Sequence, residues 1–146
     1  MNEYYSKIIK HELFWEIVKG RRSSKGNRWL SHLWPNTKES KLMFAPKFAY
    51  LNYIGPRDVA GNHYHKNKKE IFCPLGNLEL FLHDIKLNKT IRVKMSIGTK
   101  RQYTLYYIFP MVPHAVVNKT KSFMPLVVLT NKKDLYANTF KHQVIK

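Results

Sequence analysis

Gly61-Asn62-His63-Tyr64-His65-Lys66-Asn67-Lys68-Lys69-Glu70 is the stretch on which the reading of this chain turns. His63 and His65 stand two residues apart. In a strand, residues i and i+2 point to the same face, so both imidazoles can reach one point inside a barrel. Four residues intervene before Glu70, which opens another apolar run, and if the two strands are neighbours its carboxylate can turn onto the same face. Much further on, Pro110-Met111-Val112-Pro113-His114 delivers a third histidine, with Asn118 behind it. Three imidazoles and one carboxylate suit a divalent transition ion. The nitrogen donors are borderline in softness, the carboxylate offsets charge, and positions stay open for water or substrate. A closed structural site would more often use thiolates, and Cys73 is the single cysteine.

Outward from these motifs the chain consists of short runs, rich in aromatic and β-branched residues, between Gly, Pro, Asn and Asp punctuation. They are Arg28–Trp34, Lys41–Phe44, Phe48–Ile54, Asn62–His65, Glu70–Pro74, Leu78–His83, Thr90–Met95, Tyr103–Phe109, Ala115–Asn118 and Leu126–Thr130. This texture predicts an all-β sandwich or barrel. Gly76-Asn77 and Asn88-Lys89 read as hairpin turns, because Gly and Asn tolerate positive φ. In the first twenty residues Tyr5, Ile9, Leu13 and Ile17 recur every fourth position and predict a short helix or arm ending at Gly20. Two short strands are the competing reading, since Phe14-Trp15-Glu16-Ile17-Val18 also suits an extended segment. The polar end of the chain is expected to carry a short helix at Lys132–Ala137 or a closing strand. The expected division is an arm over residues 1–27 and a barrel over residues 28–146, one domain overall.

The two histidine segments resemble the two motifs of the cupin superfamily. The first of these has the core His-x-His, three or four residues, then Glu; the second ends in His, three residues, then Asn. Cys73-Pro74-Leu75-Gly76-Asn77-Leu78-Glu79-Leu80 is similar to the hairpin that follows the motif glutamate in that family. The resemblance covers roughly residues 52–129. It implies a double-stranded β-helix, the cupin jelly-roll barrel, with His63, His65, Glu70 and His114 as ligands of one divalent ion: Zn, Fe, Mn or Ni. There are departures. Arg57 stands where the family has a glycine, Met111 replaces the glycine ahead of the last histidine, and Gly76 arrives one residue early.

The stretch through His65 is similar to that of cupins in bacterial polysaccharide and nucleotide-sugar pathways. The resemblance implies an isomerase or epimerase on a carbohydrate or sugar nucleotide, with the metal as Lewis acid. Tyr106 and Tyr107, with Tyr53, are candidate proton donors. Arg57 and Arg92, with Arg28, are candidates to meet a phosphate bidentately. An iron-dependent dioxygenase and a non-catalytic binding module are the alternatives, because a fold with many activities does not name its reaction. Related sugar ketoisomerases use paired histidines as acid and base without a metal; Glu70 is what favours a metal here.

The bulk properties bound the partners. The net charge of +17 favours a small anionic substrate such as a sugar phosphate or nucleotide sugar. The basic residues are spread along the chain, only six of the 26 are arginine, and no nucleic-acid-binding motif accompanies them. The longest apolar stretches, Leu105–Val112 and Met124–Leu129, are far shorter than a bilayer span, and no secretory leader pattern is present. A cytoplasmic, membrane-free protein is therefore expected. Cys73 is read as a packing residue. The aromatic arm, Tyr4-Tyr5 with Phe14-Trp15, is expected to pack on a second copy in a homodimer.

Overall fold

The computed structural model describes residues 6–23, 28–33, 44–99, 101–133 and 138–146. Thirteen strands are found among them, in two main sheets and a small ribbon. One sheet has six strands: β1 (Ser6–Lys10), β2 (Phe14–Gly20), β5 (Phe48–Ile54), β7 (Glu70–Pro74), β10 (Gln102–Ile108) and β12 (Met124–Thr130). Their spatial order is β1-β2-β10-β7-β12-β5. The facing sheet has five: β6 (Val59–His65), β8 (Leu78–Asp84), β9 (Lys89–Met95), β11 (His114–Val117) and β13 (Thr139–Lys141), in the order β13-β6-β11-β8-β9. The ribbon pairs β3 (Arg22–Ser23) with β4 (Trp29–Leu30). This is the all-β jelly-roll expected from the motifs.

Period-two alternation builds the interior. On β8, Leu78, Leu80 and Leu82 are almost fully buried while Glu79, Phe81 and His83 alternate outward. From the facing sheet Phe14, Phe72, Leu126 and Val128 meet them. The six-stranded sheet is buried on its other face too, where Ile17, Ile71, Cys73 and Leu105 pack under Leu33 and Phe44. Cys73 is thus a packing residue as expected, and burial pushes its thiol up to about 12.

Three expectations are corrected. No helix forms over residues 6–20, the described part of this segment; β1 and β2 form an antiparallel pair, and β2 joins β10. The strand β2 buries Phe14 inward and Ile17 outward, and a strand covered on both faces reads as the dense apolar pattern that a helix also shows. Gly76-Asn77 is not a hairpin turn, because β7 and β8 belong to different sheets and the segment is a corner between them. By contrast Asn88, at φ +48°, does turn β8 into its partner β9. Finally, β6 and β7 are not neighbours, so Glu70 reaches the histidines across the interior rather than along one sheet. Most of the run Lys41–Phe44, Trp34, residues Tyr4-Tyr5, and four positions of the expected Lys132–Ala137 helix lie outside the described residues.

Candidate active site

The site is assembled by β6 and β11 on one sheet and by β7 and β5 on the other. His114 is in register with His63 across the β11–β6 ladder. The next pair is Ala115 with Gly61, so Asn62 is an extra residue that bulges β6. Gly61 takes φ +97°, and a Cβ there would lie 2.8 Å from the His114 carbonyl oxygen. Only glycine lets the two strands approach this closely beside the histidines.

His63, His65 and His114 bring one ring nitrogen each to within 4.8 Å of one another. Glu70, buried at 3% exposure, aims Oε2 at His114 Nε2 (3.3 Å) and His65 Nε2 (3.5 Å). Its Oε1 accepts from the Lys68 ammonium at 3.0 Å and from the Tyr50 hydroxyl at 3.2 Å. Burial by itself would raise the Glu70 carboxyl, but the facing imidazoles of His114 and His65 outweigh it and hold the group well below the usual carboxylate range. Burial first, then the neighbouring His114 and His65, push the His63 imidazolium down to about 4.

The tautomers follow from the second ring nitrogens. His114 Nδ1 lies 2.9 Å from the Val112 carbonyl oxygen, which can only accept, so Nδ1 carries the proton. With Nδ1 so engaged, Nε2 meets the ionised carboxylate oxygen either as an N–H donor or as a bare lone pair. His65 offers the same Oε2 its Nε2, with Nδ1 beside the Thr139 hydroxyl at 3.2 Å. Neither Glu70 Oε2 nor His65 Nε2 has a hydrogen-bond partner of good geometry. Acceptors facing one another at this range demand something positive between them, either a proton on an imidazole or a cation. The donor set fits a divalent transition ion.

His63, Glu70 and His114 of this cluster line an interior cavity of about 50 Å³, together with Tyr50, Asn52, Gly61, Phe72, Val116, Leu126 and Val128. The other expected site residues do not join it. Tyr106 is buried in the interior core, its hydroxyl 3.4 Å from the Lys94 carbonyl oxygen, and burial raises it to about 12. Tyr107 alternates to the opposite face of the sheet and packs against Trp15 and Phe44. Tyr53 is exposed against Phe123. Arg57 sits exposed in the turn before β6, and Arg92 lies on the outer face of β9, ion-paired with Glu79. Asn118 is a structural knot: its amide donates to the carbonyls of Ile54, Gly55 and Ser122 at 2.7–3.0 Å, and its oxygen accepts from Thr120.

Tyr50, Lys68 and Thr139 were not singled out by the sequence reading. The alternation Tyr50, Asn52, Ile54 on β5 carried a signal for the first, since these residues share the inward face. Lys68 sits in a basic run, and nothing local separates it from its neighbours. Thr139 reaches His65 only because β13 returns to pair with β6.

Two facing antiparallel sheets closed over an inward histidine cluster define a cupin. The chain matches the family model "FdtA: WxcM-like, C-terminal" over residues 15–139 and belongs to that family. No curated protein sequence matches it. Among solved structures it is similar to QdtA, a sugar 3,4-ketoisomerase from Thermoanaerobacterium thermosaccharolyticum in complex with TDP. The TM-score is 0.73 at 15% identity, covering 90% of this chain and 89% of that one. It is also similar to RmlC, a dTDP-6-deoxy-D-glucose-3,5-epimerase from Legionella pneumophila, with TM-score 0.74 at 13% identity over 94% and 77% of the two chains. WlaRA, a TDP-fucose-3,4-ketoisomerase from Campylobacter jejuni, gives 0.66 at 21% identity over 86% and 87%. Among the described residues no helix is long and apolar enough to cross a membrane.

Proposed function

We propose that this chain is an isomerase or epimerase acting on a keto sugar carried by a nucleoside diphosphate. The observation that carries this reading is the convergence of three imidazoles and one buried carboxylate beside a small interior cavity whose remaining wall is mostly apolar. The reaction class asks for a proton to leave a carbon beside a carbonyl and return, to the neighbouring carbon in an isomerase or to the opposite face in an epimerase. It is redox-neutral, so groups that accept and donate protons in a water-poor pocket are what it needs. His63 lines the cavity, and where no ion is held its uncharged imidazole offers a ring nitrogen that can accept a proton. Tyr50, hydrogen-bonded to Glu70, offers a hydroxyl to the same cavity, and takes the place expected for Tyr106 and Tyr107.

In this reading His63, His65, His114 and Glu70 hold one divalent transition ion. When bound, the ion supplies Lewis-acid polarisation of the keto oxygen. A second reading, in which the imidazoles move the proton without an ion, is favoured by Lys68. Its ammonium already neutralises one oxygen of Glu70.

The test uses TDP-4-keto-6-deoxyglucose in D2O, followed by proton NMR, with elemental analysis of the purified protein. Isomerised or epimerised product with deuterium at the reacting carbon is expected, and its loss in His63→Ala. Activity abolished by a chelator and restored by one divalent ion supports the metal reading, and activity indifferent to the chelator supports the second. Oxygen uptake, or an unchanged keto sugar with every ion supplied, would overturn the isomerase assignment.

The same reading takes the chain as a cytoplasmic homodimer. The exposed side chains of Leu51 and Tyr53 on edge strand β5, beside Phe123, support a second copy. Light scattering showing only monomer at micromolar concentration would refute the dimer.

A further inference from the structure

The interior cavity, at about 50 Å³, has room for a few waters or the reacting edge of a sugar, not for a nucleotide. Pockets that hold nucleotide-sized ligands run from about 300 Å³ upward. Most of a nucleotide sugar must therefore lie outside the barrel interior. Two larger hollows among the described residues, one beside Lys94 and Lys119 and one beside His11 and Asp84, share no residue with the cavity. The hollow of about 420 Å³ lined by Gly61, Asn62, Lys141, His142 and Gln143 shares Gly61 with it.

This hollow is built by the C-terminal strand. On β13, Thr139 pairs with His65 and Lys141 pairs with His63. Thr139 turns its hydroxyl to His65, so Lys141, two residues on, shares that face. The bulged Asn62 holds the chain beyond β13 in place. Its carbonyl oxygen accepts from His142 N at 2.9 Å, and its side-chain oxygen accepts from Val144 N and Ile145 N at 3.0 and 3.1 Å. Lys141 itself is exposed, and among the described residues no carboxylate lines the hollow. The match to the family covers residues 15–139, so Lys141, His142 and Gln143 of this wall lie outside the matched range.

We propose that the C-terminal segment around Lys141 is the subsite for the diphosphate of the substrate, with Lys141 as its charged contact. The inference rests on the nucleotide-sugar reading above. A reacting carbon at His63 and a phosphate at Lys141 are then one strand spacing apart, about 5 Å between backbones. The positive field of the chain, net +17, draws the dianion to this opening.

The test is calorimetric titration of thymidine diphosphate, and separately of inorganic pyrophosphate, into the full-length protein at physiological ionic strength. Loss of one charge-assisted contact is expected to weaken both ligands about tenfold in Lys141→Ala. Lys141→Arg is expected to stay within about threefold of the parent, since it keeps the charge. Lys86→Ala, in the exposed β8–β9 turn, serves as the control for bulk charge and is expected to bind as the parent does. Equal affinities in Lys141→Ala and the parent would overturn the subsite and leave the isomerase reading standing. So would an equal loss in Lys86→Ala, or a loss for thymidine diphosphate without one for pyrophosphate. A parent that binds neither ligand would overturn the nucleotide-sugar reading along with the subsite.

Discussion

The pair most exposed to test is Lys68 and Glu70, both at 3% exposure, with Nζ and Oε1 3.0 Å apart. At an effective dielectric of about 20 the gross attraction over such a distance is on the order of 5 kcal/mol, much of it offset by the cost of taking both charges out of water. Glu70→Gln keeps the shape but leaves the ammonium buried without its carboxylate, at a cost of about 3–5 kcal/mol. For a chain of this length that is a fall in Tm of roughly 10 °C. Lys68→Met is expected to cost less, about 1–3 kcal/mol, because Glu70 keeps Tyr50 and the two facing imidazoles. The double variant removes both charges together, so its cost should fall short of the sum by about 2 kcal/mol or more. Urea denaturation of all four proteins in a chelator, with m compared across the set, measures this coupling without any contribution from bound metal. Additive costs, with a coupling below about 0.5 kcal/mol, would show that the two groups do not depend on each other in solution.

Arg57 and Met111 take φ +62° and +66°, a region that costs a non-glycine residue about 1–2 kcal/mol, and both stand where the family has glycine. Arg57→Gly and Met111→Gly are each expected to raise stability by about 0.5–1 kcal/mol after the entropy of the unfolded glycine is subtracted, read as the urea midpoint; a fall in either would refute the strain argument. Asn118→Ala strips the donors from three carbonyls and is expected to destabilise by at least ~3 kcal/mol, whereas a loss under ~1 kcal/mol would mean that water replaces the knot. Acid should unfold the protein early. The folded pKa of His63, about 4, lies below its unfolded value, so the unfolded chain binds the extra proton and stability falls as pH drops from about 6.5 towards 4. Glu70, also depressed, loses its contribution as pH falls further, and a metal-free urea midpoint that stays flat from pH 7 to about 4 would contradict the His63 shift.

The all-β fold and the four convergent residues were legible without coordinates, because both rest on local rules. Period-two alternation marks a half-buried strand wherever it occurs, and His63-x-His65 must share a face if β6 is a strand. Even the departures in the motifs mark real backbone features, since Arg57 and Met111, at positions where the resemblance implies glycine, both take the left-handed conformation that glycine adopts freely. What only the tertiary structure decided is which strands meet. Pairing between β2 and β10 turned the apolar pattern of Phe14–Gly20 into a strand, because the edge of β10 was available to satisfy its backbone. Tyr106 and Tyr107 were chosen for their chemistry. Whether a tyrosine reaches the cavity depends on its strand's depth and register against the facing sheet, and that singled out Tyr50 instead. Lys68, Thr139 and Lys141 owe their places to contacts across long stretches of sequence, between elements that no short-range pattern joins.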